Sequence, residues 1–367
     1  MTSRKSTEIV SNYKTYIRRK ALLFGILSLA LVALAMYSMT AGIYKLSVDK
    51  VLAALLGSDE PQARIVIWNI RFPRIVSAVV AGWALGLSGL VIQCLLRNPL
   101  GSPFTLGISQ GAAFGAAFAI VVLGAGGAAS SAAQTGIVQT VSSSGPMTIR
   151  NLYSVTFCAF MGGLIATGTI LVLARLKKMA PEAIILAGVA LSSLFVSGTI
   201  LVQYFATEVE IASVVFWTFG DVGRSNWTEI LWMIVSTTLA TLYFTFKRWD
   251  LNALSAGEEA ALALGVEVEK IRLLGMFLTA LIASLVTAFL GVIAFLGLLA
   301  PHIGRRLVGA DHRFLLPVSC LLGSLLLLLS DTIGRTVVGS GTLPVGVLTS
   351  FMGAPLFLYL LVKGYNK

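Results

Sequence analysis

Apolar runs without a charged residue recur along most of the chain and predict membrane spans. Five of them are long, at residues 21–44, 75–96, 151–174, 183–207 and 336–362. A helix needs about 20 apolar residues to cross the hydrocarbon core of a bilayer. Each of these runs therefore predicts one transmembrane helix.

Three other runs are less regular. Residues 98–149 are long enough for one span and an external loop, rich in glycine, alanine and serine, at about residues 124–150. Residues 230–246 and 314–330 are short, and they can span if flanking charged side chains reach back to the interface. Each of the three runs predicts one further transmembrane helix.

The run 273–304 is long for one helix and short for two. We expect a tight pair of helices here, with Gly291 near the turn. Pro301 should interrupt the second helix, because proline lacks the backbone N–H that a helix interior uses. The pair brings the total to about ten spans.

The composition agrees with this pattern. Hydrophobic residues make up 57% of the 367 residues and charged residues 12%, whereas a soluble domain carries about 25% charged residues. We therefore predict an all-α polytopic membrane protein of about ten transmembrane helices. Its single transmembrane domain covers residues 21–363, between a basic tail at 1–20 and a short tail at 364–367.

The distribution of basic residues predicts the orientation. With both termini in the cytoplasm, 19 of the 27 Lys and Arg residues lie on the cytoplasmic side and eight on the other side. Lys and Arg are retained on the cytoplasmic side, so we expect a multi-pass protein of the cytoplasmic membrane in this orientation. The net charge of +11 then reflects topology. A nucleic-acid partner is not expected, because no soluble basic domain with interleaved aromatic residues is present.

The sequence offers little catalytic or metal-binding chemistry. Cys94, Cys158 and Cys320 lie in apolar surroundings without paired spacing, which disfavours disulfides and cysteine metal sites. His302 and His312 have no spaced carboxylate cluster beside them and make a poor metal site. We expect no cofactor, no resident metal and no catalytic residue.

Energy for uphill transport would have to come from another protein. The apolar runs contain no acidic residue at mid-depth, which a proton- or sodium-coupled carrier usually needs. The chain also lacks a G-x-x-x-x-G-K-[ST] phosphate loop. ATP would then be hydrolysed by a separate protein, and an ion-coupled secondary transporter or a channel remains open as an alternative on composition alone.

A polar island, Leu251–Lys270, interrupts the apolar pattern within a predicted cytoplasmic loop at about residues 250–271. Ser255 before Gly257, with two glutamates after it, suits the start of a short helix, because acidic side chains favour the positive N-terminal end. Gly265 suits its end. The two glutamates are Glu258 and Glu259.

The island keeps a short apolar repeat at Ala261, Leu262 and Leu264. A short amphipathic helix between two spans is too brief to be a domain. We expect it to be a contact site for another protein.

Arginines cluster near the predicted external ends of two spans. Arg71 and Arg74 flank Phe-Pro at the mouth of the second span, and Arg335 lies at the end of the ninth. Guanidinium groups bind carboxylates through paired hydrogen bonds, which suits docking of an acidic soluble partner. Two alternatives stay open: interface anchoring by these side chains, and a pair between Asp331 and Arg335 closed on itself.

Two helix-breaking turns lie on the predicted cytoplasmic side. Asn98–Pro103 contains two prolines and a glycine, and Ala180–Glu182 contains a proline. Such residues end helices and fix turns. Beyond that common role, the turns suit a constriction near the inner mouth of a transport path.

The ordered motifs resemble those of the membrane-spanning permease subunits of type II ABC importers, the family of iron-siderophore, haem and cobalamin uptake. The resemblance runs from about Arg71 to Lys363. It is carried by RFPR at 71–74, NPLGSP at 98–103, LGISQGA at 106–112, LAGVAL at 186–191, LNALSAGEEAALALG at 251–265, APHIGRRLVGADHRFLLP at 300–317, SDTIGR at 330–335 and LPVGVLTSFMGAPLFLYLL at 343–361.

This resemblance implies an assembly. Two permease subunits, identical or paralogous, would lie side by side in the lipid bilayer, with two ATP-binding-cassette ATPase subunits in the cytoplasm and a substrate-binding protein outside. The family's ATPase-coupling loop falls on Ser255, Gly257, Glu258, Glu259, Ala261, Leu264 and Gly265. Docking of the binding protein falls on Arg71, Arg74 and Arg335, and the cytoplasmic gate on Asn98, Leu100, Pro181 and Glu182.

The implied activity is transport and not catalysis. The resemblance implies ATP-driven import of a bulky metal chelate by alternating access, most often an iron(III)–siderophore, with cobalamin or haem as the alternative. Pro181 and Glu182 depart from the small hydroxyl residues expected in the cobalamin branch.

Overall fold

The computed structural model describes residues 2–42, 46–56, 61–125, 150–176, 180–337 and 343–365. Every regular element within these ranges is a helix. Most of the external loop predicted at residues 124–150 lies outside the described residues, and so do the last two residues of the chain.

The helices in chain order are α1 (Thr2–Thr40), α2 (Val48–Leu55), α3 (Pro61–Ile65), a π-helical turn (Val66–Arg71), α4 (Phe72–Leu95), α5 (Ile108–Val121), α6 (Arg150–Leu176), α7 (Pro181–Tyr204), α8 (Glu208–Thr218), a 3₁₀ turn (Val222–Arg224), α9 (Trp227–Phe246), α10 (Arg248–Ala256), α11 (Glu258–Ala263), α12 (Val268–Leu290), α13 (Leu296–Val308), α14 (His312–Val337) and α15 (Val345–Tyr365).

The predicted spans coincide with ten of these helices. Seven described helices are long and apolar enough to cross a membrane, namely α1, α4, α6, α7, α9, α12 and α14. The helices α5, α13 and α15 lie at the three remaining predicted positions. The all-α polytopic fold is therefore confirmed.

The bundle has two ends that differ in chemistry. One end holds α10 and α11, and we call it the α11 end. At the opposite end, Arg74 at the start of α4 contacts Asp331 near the end of α14, so these two helices are antiparallel. We call this the Asp331 end.

The first helix is longer than predicted. It is continuous from Thr2 to Thr40, so the segment predicted as a basic tail forms one helix with the first span. Near its start, Tyr16 stacks edge-on against Phe314 of α14, with ring centroids 6.4 Å apart. Aromatic contact therefore holds this extension beside α14.

The second span also begins earlier than predicted, because α3, the π-helical turn and α4 are continuous. Pro73 lacks an N–H, and its ring would clash with the carbonyl four residues before it. The wider π-turn just before it, in which the Phe72 N–H donates to the Ile67 carbonyl, accommodates this ring. Arg71 and Arg74 therefore lie within a continuous helix that begins at Pro61.

The run 273–304 forms the expected pair, α12 and α13. Gly291 ends α12 with φ of 81°, as a turn residue should. The prediction that Pro301 interrupts the second helix is wrong, since α13 continues through it. The carbonyl of Gly297, four residues earlier, instead accepts a hydrogen bond from Gln93 Nε2 at 3.4 Å, which replaces the missing backbone donor.

Glycine contacts bring the central helix α4 close to its neighbours. A Cβ on Gly89 would lie 1.7 Å from the Gly297 carbonyl oxygen, and one on Gly82 would lie 2.4 Å from that of Gly323. Small residues allow membrane helices to approach this closely. The buried core is therefore centred on α4, between α13 and α14.

Candidate functional site

The polar island forms two short helices at the α11 end. α10 and α11 are separated by Gly257, whose φ of 137° suits glycine because it has no Cβ. Ser255 does not cap α11 as predicted. Its hydroxyl donates to the Leu251 carbonyl within α10, at 2.9 Å, and no side chain caps α11.

The predicted end of α11 at Gly265 is confirmed. Gly265 has φ of 79°, and its N–H donates to the Leu262 carbonyl at 3.0 Å. The Val266 N–H donates to the Ala261 carbonyl, also at 3.0 Å. This pair of bonds is the Schellman arrangement that closes helices at glycine.

A buried arginine fastens α11 to the spans. Arg272 of α12 is 1% exposed, and its Nε donates to the Leu95 carbonyl at the end of α4. Its terminal nitrogen lies 3.1 Å from a carboxylate oxygen of Glu258, the first residue of α11. A buried cation needs such partners. Glu258 is therefore an internal anchor, and movement of α11 is linked to both α4 and α12.

A second network fastens α10 to α14. Asn252 of α10 donates to the Asp311 carboxylate at 3.1 Å and accepts from the His312 N–H at 2.8 Å. Burial pushes the pKa of Asp311 up, but hydrogen bonds from Arg313 and Asn252 outweigh it and hold that pKa at about 2. The network therefore keeps its charge at neutral pH.

The outer surface at α11 presents two leucines. Ala261 is fully buried and packs inward, whereas Leu262 is 58% exposed and Leu264 72% exposed. Glu259 is exposed beside them. Two leucines presented together on a short, firmly anchored helix suit contact with a partner surface.

The sequence did not single out the anchoring residues. No contact that anchors the polar island was predicted for Arg272, Asn252 or Cys94. In the structure, Cys94 Sγ lies 3.4 Å from Ser255 Oγ of α10. One signal for Arg272 was present in the sequence, namely a charge within the first turns of an apolar helix. Because arginine is rarely buried without a partner, such a position predicts an ion pair.

At the Asp331 end, a carboxylate is shared by two arginines. Asp331 is fully buried; one of its oxygens lies 2.8 Å from Arg74 Nε and the other 3.0 Å from Arg335 Nε. Arg74 also lies 3.1 Å from Asp221. The alternative in which Asp331 and Arg335 pair with each other is thus the arrangement present, extended by Arg74.

Arg71 is turned inward as well. It is 5% exposed, and its guanidinium donates to the Met39 carbonyl of α1. Arg335 similarly donates to Ser38. The three predicted docking arginines therefore lie together, but all three tie α1, α4 and α14 to one another.

The predicted gate residues lie in two turns at the α11 end. Asn98 Oδ1 accepts from the Leu100 N–H at 2.9 Å, and Leu100 is half-exposed. Pro181 begins α7, with Glu182 exposed in its first turn. α7 packs closely against the segment that follows the Asn98 turn. A Cβ on Gly188 would lie 2.9 Å from the Thr105 carbonyl oxygen.

The spans and the anchored α10–α11 pair define a polytopic membrane protein of the transport permease class. The chain belongs to the FecCD transport family, whose match covers residues 30–363.

Relatives and a solved structure agree. A Methanocaldococcus jannaschii protein assigned as an ABC transporter permease is 49% identical over 98% of this chain and 99% of that protein. The hemin transport system permease protein HmuU of Yersinia pestis is 35% identical over 93% of this chain and 96% of that protein. A solved inward-facing structure, assigned to the metal-chelate type of ABC transporter, has a TM-score of 0.78 at 32% identity and covers 94% of this chain and 99% of that one.

Proposed function

We propose that the chain is the membrane-spanning subunit of an ATP-driven importer and that α11 docks on a separate ATP-binding-cassette ATPase in the cytoplasm. The observation that carries this proposal is the anchored α10–α11 pair with Leu262 and Leu264 exposed. Docking would bury both leucines, and each fully buried leucine contributes about 1.5–3 kcal/mol. The chain itself has no phosphate loop, so ATP hydrolysis belongs to the partner.

Coupling would run through the two anchors. When the ATPase subunits close on ATP, α11 moves with them, and Arg272 transmits the movement to α4 through its bond to the Leu95 carbonyl. Asn252 transmits it to α14 through Asp311 and His312. ATP biases the transport path only if α11 contacts the ATPase differently in its two states. Under this scheme, the turns with Asn98, Leu100, Pro181 and Glu182 form the cytoplasmic gate.

An external substrate-binding protein would dock at the Asp331 end. Arg71, Arg74 and Arg335 share this end with two carboxylates, Asp331 and Asp221. Arg224 and Glu229 belong to the same cluster, so four cations face three anions. The net positive charge of the cluster favours an acidic partner surface. Arg335 also donates to Ser38 and Ala41, and Arg74 also contacts Asp221, so docking through these arginines would compete with internal bonds.

The transported molecule is proposed to be a bulky metal chelate, with an iron(III)–siderophore as the first candidate. Haem is supported by the 35% identity to a hemin permease, and cobalamin is the other alternative. A second permease subunit, identical or paralogous, would complete the path. An ion-coupled carrier or channel would have no use for exposed leucines on α11.

The proposal predicts loss of transport when the exposed leucines become charged. Replacing Leu262 and Leu264 with Asp should abolish ATP-dependent uptake of an iron(III)–siderophore into proteoliposomes holding the whole complex, because buried carboxylates at the interface are costly. Leu176→Asp is the control, since Leu176 is 75% exposed at the end of α6 and should retain uptake.

Three results would count against the proposal. Uptake without ATP would favour a channel or ion-coupled carrier. Normal uptake by the double variant would exclude docking through α11. ATP-dependent uptake of haem or cobalamin, but not of the siderophore, would change only the identity of the proposed substrate.

A further inference from the structure

We propose that the groove between α1, α4, α9 and α14 binds one anionic phospholipid with a hydroxyl-bearing head group. The groove has a volume of about 360 Å³ and extends along α14 from His312 to Ser324. The twelve residue steps between them correspond to about 18 Å of helix, which is more than half of the roughly 30 Å hydrocarbon core. Its length and direction fit an acyl chain.

The long wall of the groove is apolar, although three hydroxyl residues line it. The hydroxyls of Thr241 and Thr245 donate to carbonyls one turn earlier in α9, each at 2.7 Å. The Ser324 hydroxyl donates to the Val79 carbonyl of α4, also at 2.7 Å. Since these donors are already used, the surface left to a ligand is formed by hydrocarbon, including Leu31, Trp83 and Leu316.

Unpartnered polar atoms occur at the α11 end of the groove. His312 is 3% exposed, and its Nδ1 lies 2.9 Å from Asn252 Oδ1. The amide orientation of Asn252 is fixed, because its Nδ2 donates to Asp311. His312 Nδ1 must therefore carry the hydrogen, and its buried Nε2, which has no hydrogen-bond partner, is an acceptor.

Arg248 lies at the same end of the groove. Its Nε is buried and has no hydrogen-bond partner. Among the described residues it has no ion pair either, whereas Arg313 beside it is paired with Asp311 at 2.7 Å. An arginine without an ion-pair partner beside an apolar groove suits a phosphate, which guanidinium N–H groups bind strongly.

The positive surroundings strengthen this match. Lys20 of α1 lies 4.5 Å from the centre of the Phe314 ring, next to Arg313. Basic pockets between spans on the cytoplasmic side are typical sites for anionic lipid head groups. The phosphate would contact Arg248, and a head-group hydroxyl would donate to His312 Nε2.

A lipid explains both halves of the site. A free phosphate would leave the apolar groove without a ligand, and a purely apolar helix from another protein would leave Arg248 and His312 unsatisfied. An anionic phospholipid satisfies the charge, the acceptor and the hydrocarbon wall together. This inference stands apart from the proposed ATPase contact, because none of these atoms lies on the exposed face of α11.

The experiment is native mass spectrometry of the full-length protein in detergent, titrated with phosphatidylglycerol or with phosphatidylcholine of the same acyl chains. We expect one tight phosphatidylglycerol adduct and weak phosphatidylcholine adducts. Arg248→Gln should weaken phosphatidylglycerol binding about tenfold. Leu321→Trp, which fills the groove wall, should also weaken it.

Arg175→Gln is the matched control, because Arg175 is an exposed arginine in the last turn of α6, and it should leave binding unchanged. The proposal is overturned if the two arginine variants behave alike. It is also overturned if phosphatidylcholine binds as tightly, if soluble glycerol phosphate binds as tightly as the lipid, or if a co-purifying protein occupies the groove.

Discussion

An Asp331→Ala variant should lose about 3–5 kcal/mol of folding stability, because removing one partner of a buried charge network leaves the others uncompensated. Asp331 is fully buried, and both of its oxygens are occupied by Arg74 and Arg335. Without it, two guanidinium groups would remain in poorly solvated surroundings. Equilibrium unfolding of the purified protein in mixed micelles measures this loss.

Asp221→Ala is the matched control for this prediction. Asp221 contacts the same Arg74 at 3.1 Å, but its side chain is 42% exposed. Exposed ion pairs contribute about 0–1 kcal/mol, so this variant should remain within about 1 kcal/mol of the unmodified protein. Equal losses in the two variants would show that Asp331 is not the centre of the network.

Gly265→Pro should uncouple ATP hydrolysis from transport while the protein still inserts and folds. Gly265 has φ of 79°, which proline cannot adopt, and proline would also remove the N–H that donates to Leu262. The end of α11 would therefore be redirected. We expect ATP-dependent uptake to fall about tenfold or more, because typical coupling free energies correspond to changes of this size. The protein yield should be maintained. Gly257→Pro should act in the same way, since its φ is 137°.

Gly309→Pro separates uncoupling from simple strain. Gly309 ends α13 with φ of 80°, its N–H donates to the Arg305 carbonyl, and nothing lies within 4 Å of its Cβ position. It therefore matches Gly265 in its positive φ and its open surroundings, but it lies outside α11. If both proline variants lose uptake equally, the effect is general strain, and the special role of α11 is refuted.

The spans could be predicted from the sequence because the bilayer imposes one strong requirement, about 20 apolar residues per helix. The prediction was wrong where a local rule was applied alone. Pro301 was expected to break α13, but Gln93 of α4 supplies a substitute donor. The second span was expected to begin at residue 75, but the helix continues before it, and a π-turn accommodates the ring of Pro73.

The anchors of the site could not be predicted in the same way, because they join distant parts of the sequence. Glu258 meets Arg272 across 14 positions, Asn252 meets Asp311 across 59 positions, and Arg74 meets Asp331 across 257 positions. Only the folded bundle brings them together. The positions of Gly257 and Gly265 were visible because glycine at a helix boundary is a local signal.

The central claim, that α11 docks on an ATPase subunit, is tested most directly by cysteine cross-linking. Leu264→Cys lies on the exposed face of α11 and Leu176→Cys at the end of α6. The native Cys94 and Cys320 are buried, and the partly exposed Cys158 is replaced with Ser in both variants. In the assembled complex, we predict that maleimide–benzophenone, attached through its maleimide to the thiol of Leu264→Cys and inserted by light into a neighbouring C–H bond, joins this position to the ATPase subunit. The yield should change when ATP is added, and Leu176→Cys should stay unlinked. No cross-link at Leu264→Cys, or an equal yield at both positions, would contradict the account.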